Sequence, residues 1–307
     1  MDLNYFKMSQ SVAGALKDKK PVLALESTIF SHGLPWPTNY ELAQNICKTV
    51  SGAGCVPAIT MIHNGFVVIG PEDSLIQKMC AGGGFIKTTY RDIGYVLSKG
   101  LSGGTTVSAT RHLSGLVGIA VFSTGGIGGV HRNAALTFDV SQDIKIMSKV
   151  PGVIVSSGAK SILDIPKTIE HLESLGVPIV GYNTNNFPAF YSRESGCLID
   201  NVVHTPEEIA GVYFSNRRSS IPSSLLVANP IPKNDEIPLD KIEPVITSAI
   251  NDAENNGISG KGLTPYLLKN IVNNFGEKCL TANTSLALQN AALGAEISVE
   301  ISRLNNG

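Results

Sequence analysis

This sequence has few extremes, and each one it lacks removes a class of function. It has no charge excess: 24 Lys and Arg stand against 25 Asp and Glu, a formal net charge of −1. A balance this even leaves no electrostatic footprint for nucleic acid or for an anionic membrane. The five cysteines (Cys47, Cys55, Cys80, Cys197 and Cys279) are odd in number and have no CxxC pair. They imply free thiols in a reducing compartment and argue against a disulfide framework or a zinc site. No run approaches the ~18 consecutive apolar residues of a membrane span. The N-terminal stretch MDLNYFKMSQSVAGALKDKK lacks the apolar core of a signal peptide. Repeats, low-complexity tracts and linkers are also missing. The expectation is a soluble cytoplasmic protein whose 1–307 chain forms one domain.

What is present suits a large core, since 43% of the 307 residues are hydrophobic and only 16% charged. Short apolar runs alternate with helical patterns. Strands are expected at 21–25, 118–122, 153–155, 177–182 and 224–228, with helices at 38–50, 73–81, 92–98, 161–175 and 205–214. Pro57 to Gly70 predicts a hairpin turning at Asn64-Gly65. Gly103-Gly104-Thr105-Thr106 is expected to open a helix reaching Leu116, and its N-terminus offers an anion site. Residues 183–199 look irregular, and helices at 239–255, 264–274 and 280–304 close the chain. The pattern predicts an α/β/α sandwich with a mixed, largely parallel sheet and a helical C-terminal cover.

Chemistry-bearing residues follow the apolar strands, where ligands of such sheets bind. Glu26 comes directly after the first run, and Lys160 follows Val153-Ile154-Val155 and Ser-Ser-Gly-Ala. Between them lies Gly125-Gly126-Ile127-Gly128-Gly129, followed by His131, Arg132, Asp139 and Asp143. Glycines let backbone amides converge on an anion, carboxylates suit a hard divalent cation, and a lysine behind a buried strand can become a nucleophile. The glycine turn is out of register for GxGxxG, so a dinucleotide site is not expected. On these residues alone, the substrate is a phosphorylated carbonyl or sugar compound. Lys87 and Arg91 share one loop and could serve a phosphate. His32, His112, His171 and His204 are expected to be structural.

Eight stretches, in order, resemble the pseudouridine-5′-phosphate glycosidase family, also called indigoidine synthase A-like. They are LALESTIFSHGLPWP, GGTTVSAT, STGGIGGVHR, TFDVSQD, SSGAKSILD, GVPIVGY, LVANPIP and NTSLALQNAALGAEI. The resemblance implies reversible cleavage of the C–C glycosidic bond of pseudouridine 5′-phosphate to uracil and ribose 5-phosphate. It also implies a homotrimer. Lys160 is then the nucleophile, through a Schiff base, and Glu26 the proton donor. Asp139 would hold a manganese ion, largely through waters, with Asp143 as the alternative acid. Thr106, Val107, Lys87, His131, Ser141, Gln142, Asp143 and Asn283 are the implied substrate-binding residues. A different Schiff-base lyase on a sugar phosphate, or a silent sugar-phosphate binder, are the rival functions. Departures from the family pattern are Tyr90, Asn133 and the Ser156-Ser157 pair, which bear on affinity and not on reaction type.

Overall fold

The computed structural model describes residues 4–258 and 260–306. Among these residues, eleven strands form one sheet: β1 (Phe6–Met8), β2 (Val22–Leu25), β3 (Val56–His63), β4 (Phe66–Ile69), β5 (Ile86–Thr88), β6 (Gly103–Thr105), β7 (Val121–Ser123), β8 (Gly152–Ser156), β9 (Ile179–Tyr182), β10 (Val202–Val203) and β11 (Ser224–Ala228). Their order is β1-β4-β3-β2-β7-β8-β11-β9-β10, with β6 on β3 and β5 on β6. Every pairing is parallel except β3 with β4 and β3 with β6. This is the mixed, mostly parallel α/β sheet that the alternating pattern implies.

All residues of β2, β7, β8 and β11 are buried, so both faces of the central sheet are covered. Each such Val, Leu or Ile contributes about 1.5–3 kcal/mol through burial. On one side lies the C-terminal helix Glu277–Asn306, which packs on β2, β7 and β8 and on the helices Thr38–Gly52 and Pro206–Arg218. Gly294 permits its close approach, because a Cβ there would lie 2.9 Å from Leu23 Cδ1. Elsewhere the helix Val107–Leu116 packs on β2, β3 and the short helix Gln142–Met147.

The hairpin is as the sequence predicts: Asn64 and Gly65 both have positive φ (48° and 77°), the left-handed pair of a type I′ turn. Other details differ for local reasons. Gly103-Gly104-Thr105 is strand β6 and not the first turn of a helix. Neither glycine has room for a Cβ, which would come within 2.0 Å of Thr88 Oγ1 or 2.2 Å of Ser31 Oγ. Residues 161–164 are not helical. The helix there is Ile165–Ser174, capped by Asp164, and Pro166 belongs to its first turn, where the missing N–H costs nothing. The helix expected at 38–50 runs from Thr38 to Gly52, with Pro37 in the cap position. The N-terminal β1 and the helix Gln10–Lys17 carry too short a pattern to have been read.

One feature of the sheet makes the site. The first half of β3 pairs with β2 (Ile59 opposite Leu25), but beyond Leu25 its neighbour on that side is β6. The chain therefore leaves the sheet at Glu26. Ser27 pins the departure: its Oγ donates to Thr60 O at 2.7 Å, and its N–H donates to Thr105 O at 3.2 Å.

Candidate active site

Register places the key residues side by side. Leu25 pairs with Ser123 and Ser123 with Val155, so Glu26, Thr124 and Ser156 are the next residues on three adjacent parallel strands. The cleft beyond these strand ends has a volume of about 240 Å³. All eleven site residues named from the sequence line it: Glu26, Lys87, Thr106, Val107, His131, Asp139, Ser141, Gln142, Asp143, Lys160 and Asn283.

Glu26 is only 7% exposed. Burial pushes its carboxyl above the ordinary value of 4.5, and this outweighs the Lys160 cation and the Thr124 hydroxyl, which pull the other way. Thr124 Oγ1 donates a short hydrogen bond to Glu26 Oε1. A carboxyl with its pKa raised by burial, facing a lysine in a cleft, is suited to giving up a proton. The Lys160 backbone is fixed from the glycine turn: Lys160 N–H donates to Ile127 O at 3.1 Å, and Ile127 N–H to Gly158 O at 3.0 Å.

The glycine turn does not serve as the anion nest expected of it. None of Gly125, Gly126, Gly128 and Gly129 is in the left-handed region. They are small because neighbours press on them: a Cβ on Gly126 would lie 2.4 Å from the Phe190 ring, and one on Gly128 would lie 2.3 Å from Ser141 Oγ. The Gly128 N–H donates to Asp143 Oδ2, and Ser108 N–H donates to Asp143 Oδ1, both at 2.9 Å. Asp143 thus ties the glycine turn to the helix starting at Val107, with each oxygen already engaged. Asp139 keeps a carboxylate that is 29% exposed, and His131 Nε2 stands 3.9 Å from its Oδ2. Burial holds His131 below its ordinary pKa despite Asp139, so the imidazole is neutral near pH 7 and this contact is no ion pair there.

Among the described residues, no group of three His, Cys, Asp or Glu side chains is placed to hold a metal. The protein donor available to a hard cation is the Asp139 carboxylate, which fits an ion that keeps most of its waters.

At the start of the helix Val107–Leu116, Thr106 takes the cap position and its Oγ1 lies 3.1 Å from Ser108 Oγ. Thr105, grouped with it in the sequence reading as a phosphate donor, instead faces the core, where its Oγ1 bonds Thr60 O and Thr110 Oγ1. Gln142 Oε1 accepts from Arg91 N–H at 3.0 Å, which joins the Lys87 loop to the Ser141–Asp143 turn. Tyr90 is not among the lining residues, and its ring meets His112 edge-on at 4.8 Å. Asn283 is buried, with an Oδ1 that has no partner among the described residues, an acceptor open to a substrate N–H or hydroxyl.

Sequence reasoning missed several lining residues. Ile29, Phe190 and Leu268 supply apolar walls, beside the Arg91 that the sequence had already paired with Lys87. His32, expected to be structural, also lines the cleft, with Nδ1 2.7 Å from Ser31 Oγ. Thr124, which donates to Glu26, is chemically inconspicuous; its position one past an apolar strand, like that of Glu26, is the signal the sequence offers.

Comparison with known proteins agrees with this geometry. The family model "Indigoidine synthase A like protein" matches residues 11–300. The chain is 41% identical over 300 residues to a pseudouridine-5′-phosphate glycosidase of Staphylococcus aureus (strain MW2), covering 98% of each. It is 43% identical over 300 residues to one from Caldanaerobacter subterraneus subsp. tengcongensis, again covering 98% of each. Among solved structures, the prealnumycin C-glycosynthase AlnA, in complex with ribulose 5-phosphate, superposes with a TM-score of 0.91 at 36% identity over 98% of both chains. An indigoidine synthase A-like protein from Thermotoga maritima gives 0.89 at 37% identity over 97% of both. Matched over nearly its whole length in sequence and in fold, the chain belongs to the indigoidine synthase A-like family, which these pseudouridine-5′-phosphate glycosidases share.

Proposed function

We propose that this enzyme reversibly cleaves the C–C glycosidic bond of pseudouridine 5′-phosphate, giving uracil and ribose 5-phosphate, through a Schiff base on Lys160. The observation that carries the reading is that Glu26 and Lys160 line one cleft that also holds Lys87 and Arg91 for a phosphate. A C-glycoside has no heteroatom leaving group, so the usual carboxylate pair of glycosidases is insufficient. Proton donation by Glu26 helps the ribose ring oxygen leave C1′ as a hydroxyl, and the Lys160 amine bonds to C1′. The bonded nitrogen then gives a proton back to the Glu26 carboxylate, and its regained lone pair forms the C1′=N iminium while the C1′–uracil bonding pair stays on the uracil carbon, which takes that proton from Glu26. Water finally hydrolyses the imine, releasing ribose 5-phosphate and the free amine.

Around this pair, Lys87, Thr106, Val107, Ser141, Gln142 and Asp143 shape the sugar-phosphate end, and His131 and Asn283 meet the groups that react. Asp139 would hold a hydrated manganese ion, whose contribution is positive charge beside the phosphate. The protein works in the cytoplasm, where its five free thiols stay reduced. It assembles as a homotrimer; Leu136 and Phe138, both 87% exposed, are apolar enough to be covered by another copy. Light scattering should give three times the chain mass, and Leu136→Asp with Phe138→Asp should lower it.

The test is intact mass after incubation with ribose 5-phosphate and borohydride, with and without uracil. One sugar-phosphate adduct at Lys160, and pseudouridine 5′-phosphate formed when uracil is present and borohydride absent, are expected. An adduct with no uracil chemistry would replace this reading with another lyase of sugar phosphates, and no adduct would leave a binding protein.

A further inference from the structure

Behind the cleft, the segment that carries Thr124 and the segment that leads to Lys160 run side by side. Ser157 N–H donates to Gly125 O at 2.9 Å, and Thr124 N–H donates to Val155 O at 3.0 Å. A polar side chain of the C-terminal helix, Asn290, enters their junction. Asn290 is fully buried, and its Nδ2 donates to Thr124 O at 2.9 Å and to Ser157 Oγ at 3.1 Å, with Gly125 O at 3.3 Å. Its Oδ1 accepts from Asn229 Nδ2 at 2.9 Å, and Asn229 N–H in turn donates to Ser156 O at 2.9 Å. The amide orientation is unambiguous, because the atom facing two backbone carbonyls must be the donor.

We propose that Asn290 is a positioning residue that fixes the acid Glu26 and the nucleophile Lys160 relative to each other. One of its N–H groups holds the backbone of Thr124, whose hydroxyl binds Glu26, and the other holds Ser157, three residues before Lys160. Asn229 fixes the amide's rotation by occupying its oxygen. None of these three side chains lines the cleft, so they act through Thr124 and the Ser157–Lys160 turn alone. The Asn290 amide has its nitrogen and its oxygen both engaged, and a buried amide so held has one low-energy arrangement, which is what a pair of reacting groups requires. The inference rests on the proposed roles of Glu26 and Lys160.

The experiment compares Asn290→Leu and Ser157→Ala with wild type, using steady-state cleavage of pseudouridine 5′-phosphate, borohydride trapping with ribose 5-phosphate, and folded fraction by circular dichroism. For folded Asn290→Leu, kcat should fall about 100-fold, the scale of an ångström-level misplacement, with KM within about threefold of wild type. Trapping at Lys160 should slow in parallel. Ser157→Ala removes only a hydroxyl, so it answers the question if Asn290→Leu does not fold. Its kcat should drop about three- to tenfold, the effect of one neutral hydrogen bond. A kcat per folded molecule equal to wild type in the folded variants, or an equal rise in KM, overturns the proposal. Loss of trapping in wild type would instead strike the Schiff-base reading, while the kcat-against-KM comparison still judges Asn290.

Discussion

Thr124→Val tests whether Glu26 acts as the proton donor. Valine preserves the shape of threonine and removes the one hydroxyl that donates to Glu26 Oε1. A hydrogen bond to an ionised carboxylate is worth about 1.5–3 kcal/mol, and one to its neutral form about 0.5–1.5 kcal/mol. Losing the donor thus penalises the anion more than the acid by about 1–1.5 kcal/mol, and 1.36 kcal/mol corresponds to one pH unit. With Glu26 only 7% exposed, solvent screens little of this. The Glu26 carboxyl, already raised by burial, should rise further in the variant. A group that must be protonated to act loses activity as pH climbs past its pKa. The alkaline limb of the kcat profile for cleavage should therefore move up by about one pH unit. The assay is uracil release against pH at saturating substrate, with the circular dichroism spectrum as the check on folding. An alkaline limb that stays in place, or moves down, would refute Glu26 as the acid that sets it.

Other expectations follow from the same site. Lys160→Ala should lower turnover at least about a thousandfold and abolish borohydride trapping, and an active variant would end the Schiff-base assignment. Glu26→Gln should be more stable than wild type at neutral pH. The raised pKa means the folded protein binds the Glu26 proton more tightly than the unfolded chain, so this contribution is present below 4.5 and is lost as pH rises through the folded value. The melting-temperature advantage of Glu26→Gln should accordingly shrink toward pH 4.5, and an advantage independent of pH would contradict it. Asp139→Ala should weaken manganese binding at least about tenfold by paramagnetic resonance in the presence of ribose 5-phosphate. Unchanged binding would move the ligand to Asp143.

The sheet was legible because its strands are short apolar runs bounded by turn residues, and Glu26 and Lys160 were legible because each follows one. The glycine motif shows where such reading stops. Its composition fits an anion cradle, but the backbone stays out of the left-handed region and the small residues make room for Phe190 and Ser141. Composition tells that a side chain is missing and cannot tell what fills its place. Asp143 shows a related limit: the sequence supplies its carboxylate but does not tell that its oxygens accept from the Ser108 and Gly128 amides, 35 and 15 residues away. Gly103-Gly104 was drawn into a helix because its pairing with β5 and β3 is non-local.

The residues hardest to read from sequence are those that act through others. Glu26 announces itself by chemical type, whereas Thr124, Ser157, Asn229 and Asn290 are ordinary polar residues scattered over 166 positions. Their common property is burial in one junction, and burial of an amide is costly unless all its bonds are made. Asn290 meets that condition only when the C-terminal helix is docked on β7 and β8. On the inference drawn above, the helical cover expected from the sequence also fixes Glu26 and Lys160 relative to each other. A change anywhere along that helix that tilts Asn290 should be felt first in kcat, before it is felt in stability.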